Sequence, residues 1–143
     1  AGIVVKATAD GEIITLEALA QIPEPADVYM FDGQGIAHPR RLGIAAHIGL
    51  WLNRPTIGCA KSWLIGKHAP VGTQKGDFEP MLAADGDVIG VALRTRTNVK
   101  PVFVSPGHRC DIDSARRITL AAAPRYRLPE PTRAAHNAAG SDE

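Results

Sequence analysis

Val28-Tyr29-Met30-Phe31-Asp32-Gly33-Gln34-Gly35-Ile36-Ala37-His38-Pro39-Arg40-Arg41 reads as a short β-type run that stops at a carboxylate between glycines. Its compact apolar opening predicts a buried strand. A carboxylate at the C-terminal end of a parallel strand stands where open α/β sheets usually place their sites. Gly33 and Gly35 lack a Cβ, so a bulky ligand can approach the backbone there. Asp32 is a candidate oxygen ligand for Mg²⁺, an ion bound through one or two carboxylates plus substrate phosphate. Asp-Gly is also an ordinary turn signal, and the chain carries three, at Asp10, Asp32 and Asp85.

Downstream, Pro39 to Asn53 places Leu42, Ala45, Ala46, Gly49, Leu50 and Leu52 at helical spacing behind a pair of arginines. Pro55-Thr56-Ile57-Gly58-Cys59-Ala60 predicts a second buried strand. Lys61 would project from its end, where a lysine can hold a phosphate or stabilise a leaving oxygen; a snorkelling surface lysine is the plainer alternative. Residues 65–87, rich in Gly, Pro and Asp, are expected to form a long loop. Asp87 to Arg94 and Val102 to Ser105 predict two further strands, and Asp113 to Ala122 a helix opened by its acidic residue. Ile3-Val4-Val5 and Ile13-Ile14-Thr15 flank Asp10-Gly11 as a hairpin would; alternatively Glu12 opens a helix over Ile13 to Ile22. Periodicity leaves both open.

A chain of 143 residues fits one domain, here 1–143, with 1–26 divergent in character and 126–143 a C-terminal arm and short helix. Hydrophobic residues at 45% and charged residues at 22% are globular values and exclude a wholly disordered chain. No apolar run approaches the roughly 20 residues of a membrane span, and no signal-peptide layout is present. Cys59 and Cys110 have no CxxC spacing, so a cytoplasmic, reducing setting is expected. The net charge of +1 conceals a gradient. Residues 1–39 hold six acids against one lysine, whereas residues 89–133 hold nine bases against three acids. That asymmetry suits a carboxylate site set against a polyanion, and equally a solvated surface.

The five histidines show no zinc spacing, Gly66-Lys67 lacks the phosphate-loop pattern, and no GxSxG elbow occurs. His108 and His136 are lone histidines, more commonly packing or capping residues than catalysts. Arg40 with the tail Arg125-Tyr126-Arg127-Leu128-Pro129-Glu130-Pro131-Thr132-Arg133 offers guanidinium groups and a ring. Arg40, Arg127 and Arg133 are therefore candidate nucleic-acid contacts. A proline-stiffened arm packing on its own domain is the plainer reading, and the two are compatible.

Four segments, taken in order, closely resemble the endonuclease V family: Asp32-Gly-Gln-Gly-Ile-Ala-His-Pro-Arg-Arg41, Pro55-Thr-Ile-Gly-Cys-Ala-Lys61, Val102-Phe-Val-Ser-Pro-Gly-His108 and Tyr126-Arg-Leu-Pro-Glu-Pro-Thr-Arg133. The match runs from about Asp27 to Ala139. It implies an α/β fold of the ribonuclease H-like type, a mixed sheet flanked by helices, shortened at the N-terminus. It also implies a Mg²⁺-dependent nuclease of DNA repair that recognises inosine in DNA, and in some members RNA. Such enzymes cut the second phosphodiester 3′ to the lesion and leave 3′-hydroxyl and 5′-phosphate ends. By resemblance, Asp32 is the metal-binding aspartate, Lys61 lies near the scissile phosphate, and His136 lies near the metal. Gly33, Gly35, Ile36 and His38 belong to the segment that holds the flipped base, which must leave the stack to be read.

The front end departs from the family pattern. Family members carry an upstream strand with a second metal-binding aspartate, and Val4 stands where it would be. Glu12 aligns with a family glutamate if one residue is deleted; under a competing alignment residues 3–17 are two family strands and that glutamate is absent. No wedge tyrosine is visible, since Tyr29 lies inside a strand. The chain is thus expected to be an active nuclease or, alternatively, a non-catalytic binder of inosine-containing nucleic acid or an inactive, shortened paralogue. Oligomeric state is not encoded legibly.

Overall fold

Tyr29–Phe31 (β2) and Thr56–Ala60 (β3) pair in parallel near the middle of the sheet, in a computed structural model that describes residues 3–4 and 27–133. Ile3–Val4 (β1) lies parallel to β2 on its other side, with Ile3 opposite Tyr29 and Val4 opposite Met30. Phe78–Leu82 (β4), Val88–Leu93 (β5) and Val102–Pro106 (β6) complete a mixed six-stranded sheet in the order β1-β2-β3-β6-β5-β4. β6 runs antiparallel to both β3 and β5. The hairpin and helix readings of residues 5–26 lie outside the described residues.

Burial explains why β2, β3 and β6 are continuous apolar runs: every residue in them is covered. Alternate side chains serve two cores. Val102 and Val104 join Met30, Ile57, Cys59 and Leu93 on one face, closed by Ala115 of Ile112–Ala121 (α2). Phe103 joins Ala60, Met81, Ile89 and Ala92 on the other.

Three elements differ from the sequence reading. The stretch read as a 65–87 loop contains β4, whose alternating exposure and Pro80 hid it. As the last strand in the described sheet it tolerates a residue without an N–H. The helix expected from Pro39 begins only at Ile44 (α1, Ile44–Leu52), because residues 39–43 form a turn in which Arg41 takes a positive φ of 57°. No side chain caps α1. Instead the amides of Gly43 and Ala45 donate to the carbonyls of Gly35 and Gln34, so the glycine loop after β2 caps the helix. Asp111, rather than Asp113, caps α2: its Oδ1 accepts from the Ser114 amide at 2.7 Å. Residues 130–133 are helical, and the rest of the expected tail helix lies outside the described residues.

Candidate active site

Because β2 and β3 are parallel neighbours, the residues that follow them emerge side by side. Asp32 succeeds Phe31 and Lys61 succeeds Ala60, and Lys61 Nζ stands 3.3 Å from Asp32 Oδ2. The lysine side chain is 36% exposed and the carboxylate 14%, so the pair is reachable from solvent rather than packed into the interior. The field of Asp32 also bears on the thiol beneath it: burial first, and then that negative charge, push Cys59 up to about 12.

The glycine loop is fixed by backbone packing. The Gly35 amide donates to buried Ser105 Oγ at 2.7 Å, and the Ile36 amide donates to the Pro106 carbonyl at 2.9 Å. A Cβ on Gly35 would collide with that Pro106 carbonyl, and one on Gly58 would meet the Gly35 nitrogen. A Cβ on Gly33 would meet Ile44 Cγ2. The glycines expected to admit a ligand are therefore needed for loop, strand and helix to pack. Gln34 adds a tether: its Nε2 donates to the Ser62 carbonyl at 3.3 Å, joining the loop to the segment after Lys61, while its buried Oε1 has no partner.

The other candidates separate. Ile36 is half-buried against the second core, and His38 Nδ1 accepts from the Arg40 amide at 3.2 Å. Arg40 is exposed. Its neighbour Arg41 pairs with Asp85 at 3.1 Å and Asp87 at 3.5 Å. The Asp87 amide, together with Arg41, holds the Asp85 carboxyl below its ordinary range. Arg127 is bonded to backbone carbonyls through two of its nitrogens. Its Nη2 donates to the carbonyls of Lys61 at 2.8 Å and Pro101 at 2.9 Å, and its Nε to that of Lys100 at 3.0 Å. The guanidinium is a clasp on the Lys61 peptide. Arg133 lies over the Tyr126 ring at 3.8 Å and within 3.9 Å of Glu130. His108 sits by the start of β3, bonded to Asn53 at 3.1 Å, away from the strand ends that carry Asp32 and Lys61. Glu12 and His136 lie outside the described residues.

Among the described residues no group of three or more His, Cys, Asp or Glu is placed to hold a metal ion. Asp32 supplies one hard oxygen donor of the type Mg²⁺ takes, and such an ion draws much of its shell from water and phosphate. In donor chemistry and access, Asp32 fits that ion. Sequence reasoning missed Gln34 and Ser105, whose bonds to Ser62 and Gly35 carry no local signal.

A family model described as endonuclease V matches residues 12–137. An endonuclease V from Kosmotoga olearia is 54% identical over 123 residues, covering 86% of this chain and 54% of its own length. The crystal structure of endonuclease V from Streptomyces avermitilis superposes with a TM-score of 0.84 at 45% identity, over 90% of this chain and 56% of that one. Ciona intestinalis endonuclease V (D234N), solved with a 23mer DNA containing an inosine followed by a ribo-adenosine, gives 0.78 at 29% identity, over 92% and 62%. The chain spans about half the length of the curated relatives it matches. The mixed sheet with flanking helices is the ribonuclease H-like fold the motifs implied. No helix among the described residues is long and apolar enough to cross a membrane.

Proposed function

The chain belongs to the endonuclease V family, and from that premise we propose that it is a Mg²⁺-dependent endonuclease acting on inosine-containing DNA. The scissile bond is the second phosphodiester 3′ to the lesion. One observation carries this reading: the Asp32 carboxylate and Lys61 ammonium, 3.3 Å apart at neighbouring strand ends, are a metal-type donor and a phosphate-type cation on one rigid platform.

Asp32 would hold the ion, which when bound supplies charge neutralisation at the phosphate and a more acidic water. Lys61 places its ammonium where charge accumulates on the phosphoryl and leaving oxygens, and the Arg127 clasp on its own carbonyl keeps its backbone fixed. In the hydrolysis a water oxygen forms the new bond to phosphorus and the P–O3′ bond breaks. The leaving 3′ oxygen gains a proton supplied, in the balance, by that water. The products are a 3′-hydroxyl and a 5′-phosphate. Glu12 and His136 are further candidates for orienting water or metal on the family resemblance alone.

The test is incubation of the 143-residue chain, in excess, with a duplex containing a single inosine, with Mg²⁺ and with EDTA. A nick at the second 3′ phosphodiester that needs Mg²⁺ is the expected result. Inosine-selective binding without strand loss would leave a non-catalytic binder instead, and inosine in RNA, run alongside, shows which sugar is accepted.

A further inference from the structure

A cleft of about 320 Å³ has Lys61 in its wall, together with Trp63, Lys100, Pro101, Phe103 and Arg127. Trp63 is its distinctive member. The residue is 53% exposed, unusual for so large an apolar side chain, yet its ring is held in place. The indole N–H donates inward to the carbonyls of Gly66 at 2.9 Å and Ile65 at 3.2 Å. His68 braces the ring at 4.8 Å between centroids and itself leans on Phe103 at 5.9 Å. With its only polar atom satisfied internally, what Trp63 presents is π-surface, with its orientation already fixed.

The surrounding charge narrows what this surface can meet. Three cations line the cleft and no carboxylate does. Lys100 is exposed and has no ion pair among the described residues. The Arg127 guanidinium is pinned in the wall by its carbonyl bonds, so its charge stays there. An apolar protein partner would have to desolvate the Lys100 ammonium without compensation. A nucleic-acid strand supplies an anion and a flat ring in every residue, and pairing a basic groove with an aromatic platform is how single strands are held without sequence preference.

We propose that this cleft is a nucleobase-stacking subsite, in which Trp63 takes the face of an unpaired base in the strand whose phosphate lies at Lys61, and Lys100 takes an adjoining phosphate. The subsite deepens the nuclease reading and rests on it for which strand is bound. It makes strand affinity depend on a base outside the lesion pocket.

The chain holds two tryptophans, so Trp51→Phe leaves Trp63 as sole reporter. In EDTA and at fixed salt, that protein is titrated with a short single-stranded deoxyoligonucleotide and with a strand of equal length and charge made of abasic residues. The base-bearing strand is expected to quench Trp63 emission and to bind about tenfold or more tightly. Trp63→Phe keeps that preference and Trp63→Ala loses it. Equal binding of the two strands, no binding of either, or a base preference that survives in a folded Trp63→Ala protein overturns the subsite. The strand comparison needs no variant at position 63, so it holds even if Trp63→Ala fails to fold. Nicking of an inosine duplex is read in parallel. Nicking without a base preference removes the subsite and leaves the nuclease reading; a Trp63-dependent base preference in a chain that never nicks does the reverse.

Discussion

Lys61 Nζ faces Asp32 Oδ2 at 3.3 Å across the ends of two parallel strands whose register sets Phe31 against Gly58. The pair is partly solvated, and ion pairs of that kind contribute only about 0–1 kcal/mol to folding. Its cost in chemistry is much larger. Asp32→Asn and Lys61→Met should each leave the denaturant midpoint nearly unchanged while lowering single-turnover nicking of an inosine duplex by about 100-fold or more. On the proposed function the two groups serve one phosphate, so the double variant should fall little below the worse single one. A large loss of stability in either variant, with activity lost only in proportion to unfolding, would contradict this.

Gly35 is a packing requirement. Its missing Cβ is what lets the loop after β2 lie on the Pro106 carbonyl, with its amide on Ser105 Oγ. Gly35→Ala should therefore destabilise the protein by about 1–3 kcal/mol or more, since the obstructing atoms are backbone and cannot rotate away. Gly86→Ala is the control. It sits at φ +89° with open space around it, so it carries only the left-handed backbone penalty, about 1 kcal/mol. Urea unfolding of the two variants should rank them in that order.

What the sequence could and could not disclose follows the same geometry. β2, β3, β5 and β6 are legible because central strands covered on both faces must be runs of apolar residues, and Asp32 and Lys61 are legible because each ends such a run. β4, the last strand in the described sheet, is not, since its exposed positions hold Phe78, Pro80 and Leu82, so its alternation in exposure is no alternation of apolar and polar residues. The start of α1 is misplaced because its cap is the backbone of Gln34 and Gly35, not a side chain with a signature. The supports of the site were invisible for a further reason. Gln34 to Ser62, Gly35 to Ser105 and Arg127 to Lys61 are separated by 28, 70 and 66 residues, and no local pattern encodes such pairings. Arg127 stood out in the sequence by its charge, and nothing local shows that its guanidinium is bonded to three backbone carbonyls.

Arg127 can be separated from a substrate-binding arginine by its variants. Three carbonyls, of Lys61, Lys100 and Pro101, share its Nε and Nη2 hydrogens. An ammonium cannot reproduce that planar fork. Arg127→Lys should thus lose about 1–3 kcal/mol of stability despite keeping the charge, and Arg127→Ala at least as much. The salt dependence of oligonucleotide binding should change little in Arg127→Lys, whereas Lys100→Ala should lower the slope by about one counterion without altering stability. A phosphate-contacting Arg127 would give the opposite pattern in Arg127→Ala: unchanged unfolding and a reduced salt slope.

Cys59 supplies a pH signature of the intact sheet. Burial and the neighbouring Asp32 charge push the folded thiol up to about 12, while in the unfolded chain it returns to an ordinary value near 9. Between those values the unfolded state has released a proton that the folded state keeps, so stability falls as pH rises. The contribution is fully present below about pH 8 and declines above about pH 9, by about 1.4 kcal/mol per pH unit at most. Cys59→Ala should be less stable than the parent at pH 7 through lost packing, yet show a shallower decline between pH 9 and 10.5 in thermal melts. Alkylation reports the same state. Half-exposed Cys110, itself raised to about 11 mainly by burial, should react slowly at pH 8 and faster with increasing pH, whereas Cys59 should react only on unfolding. Prompt labelling of Cys59 in the native protein would mean that the strand beneath Asp32 is open, and the Asp32–Lys61 platform with it.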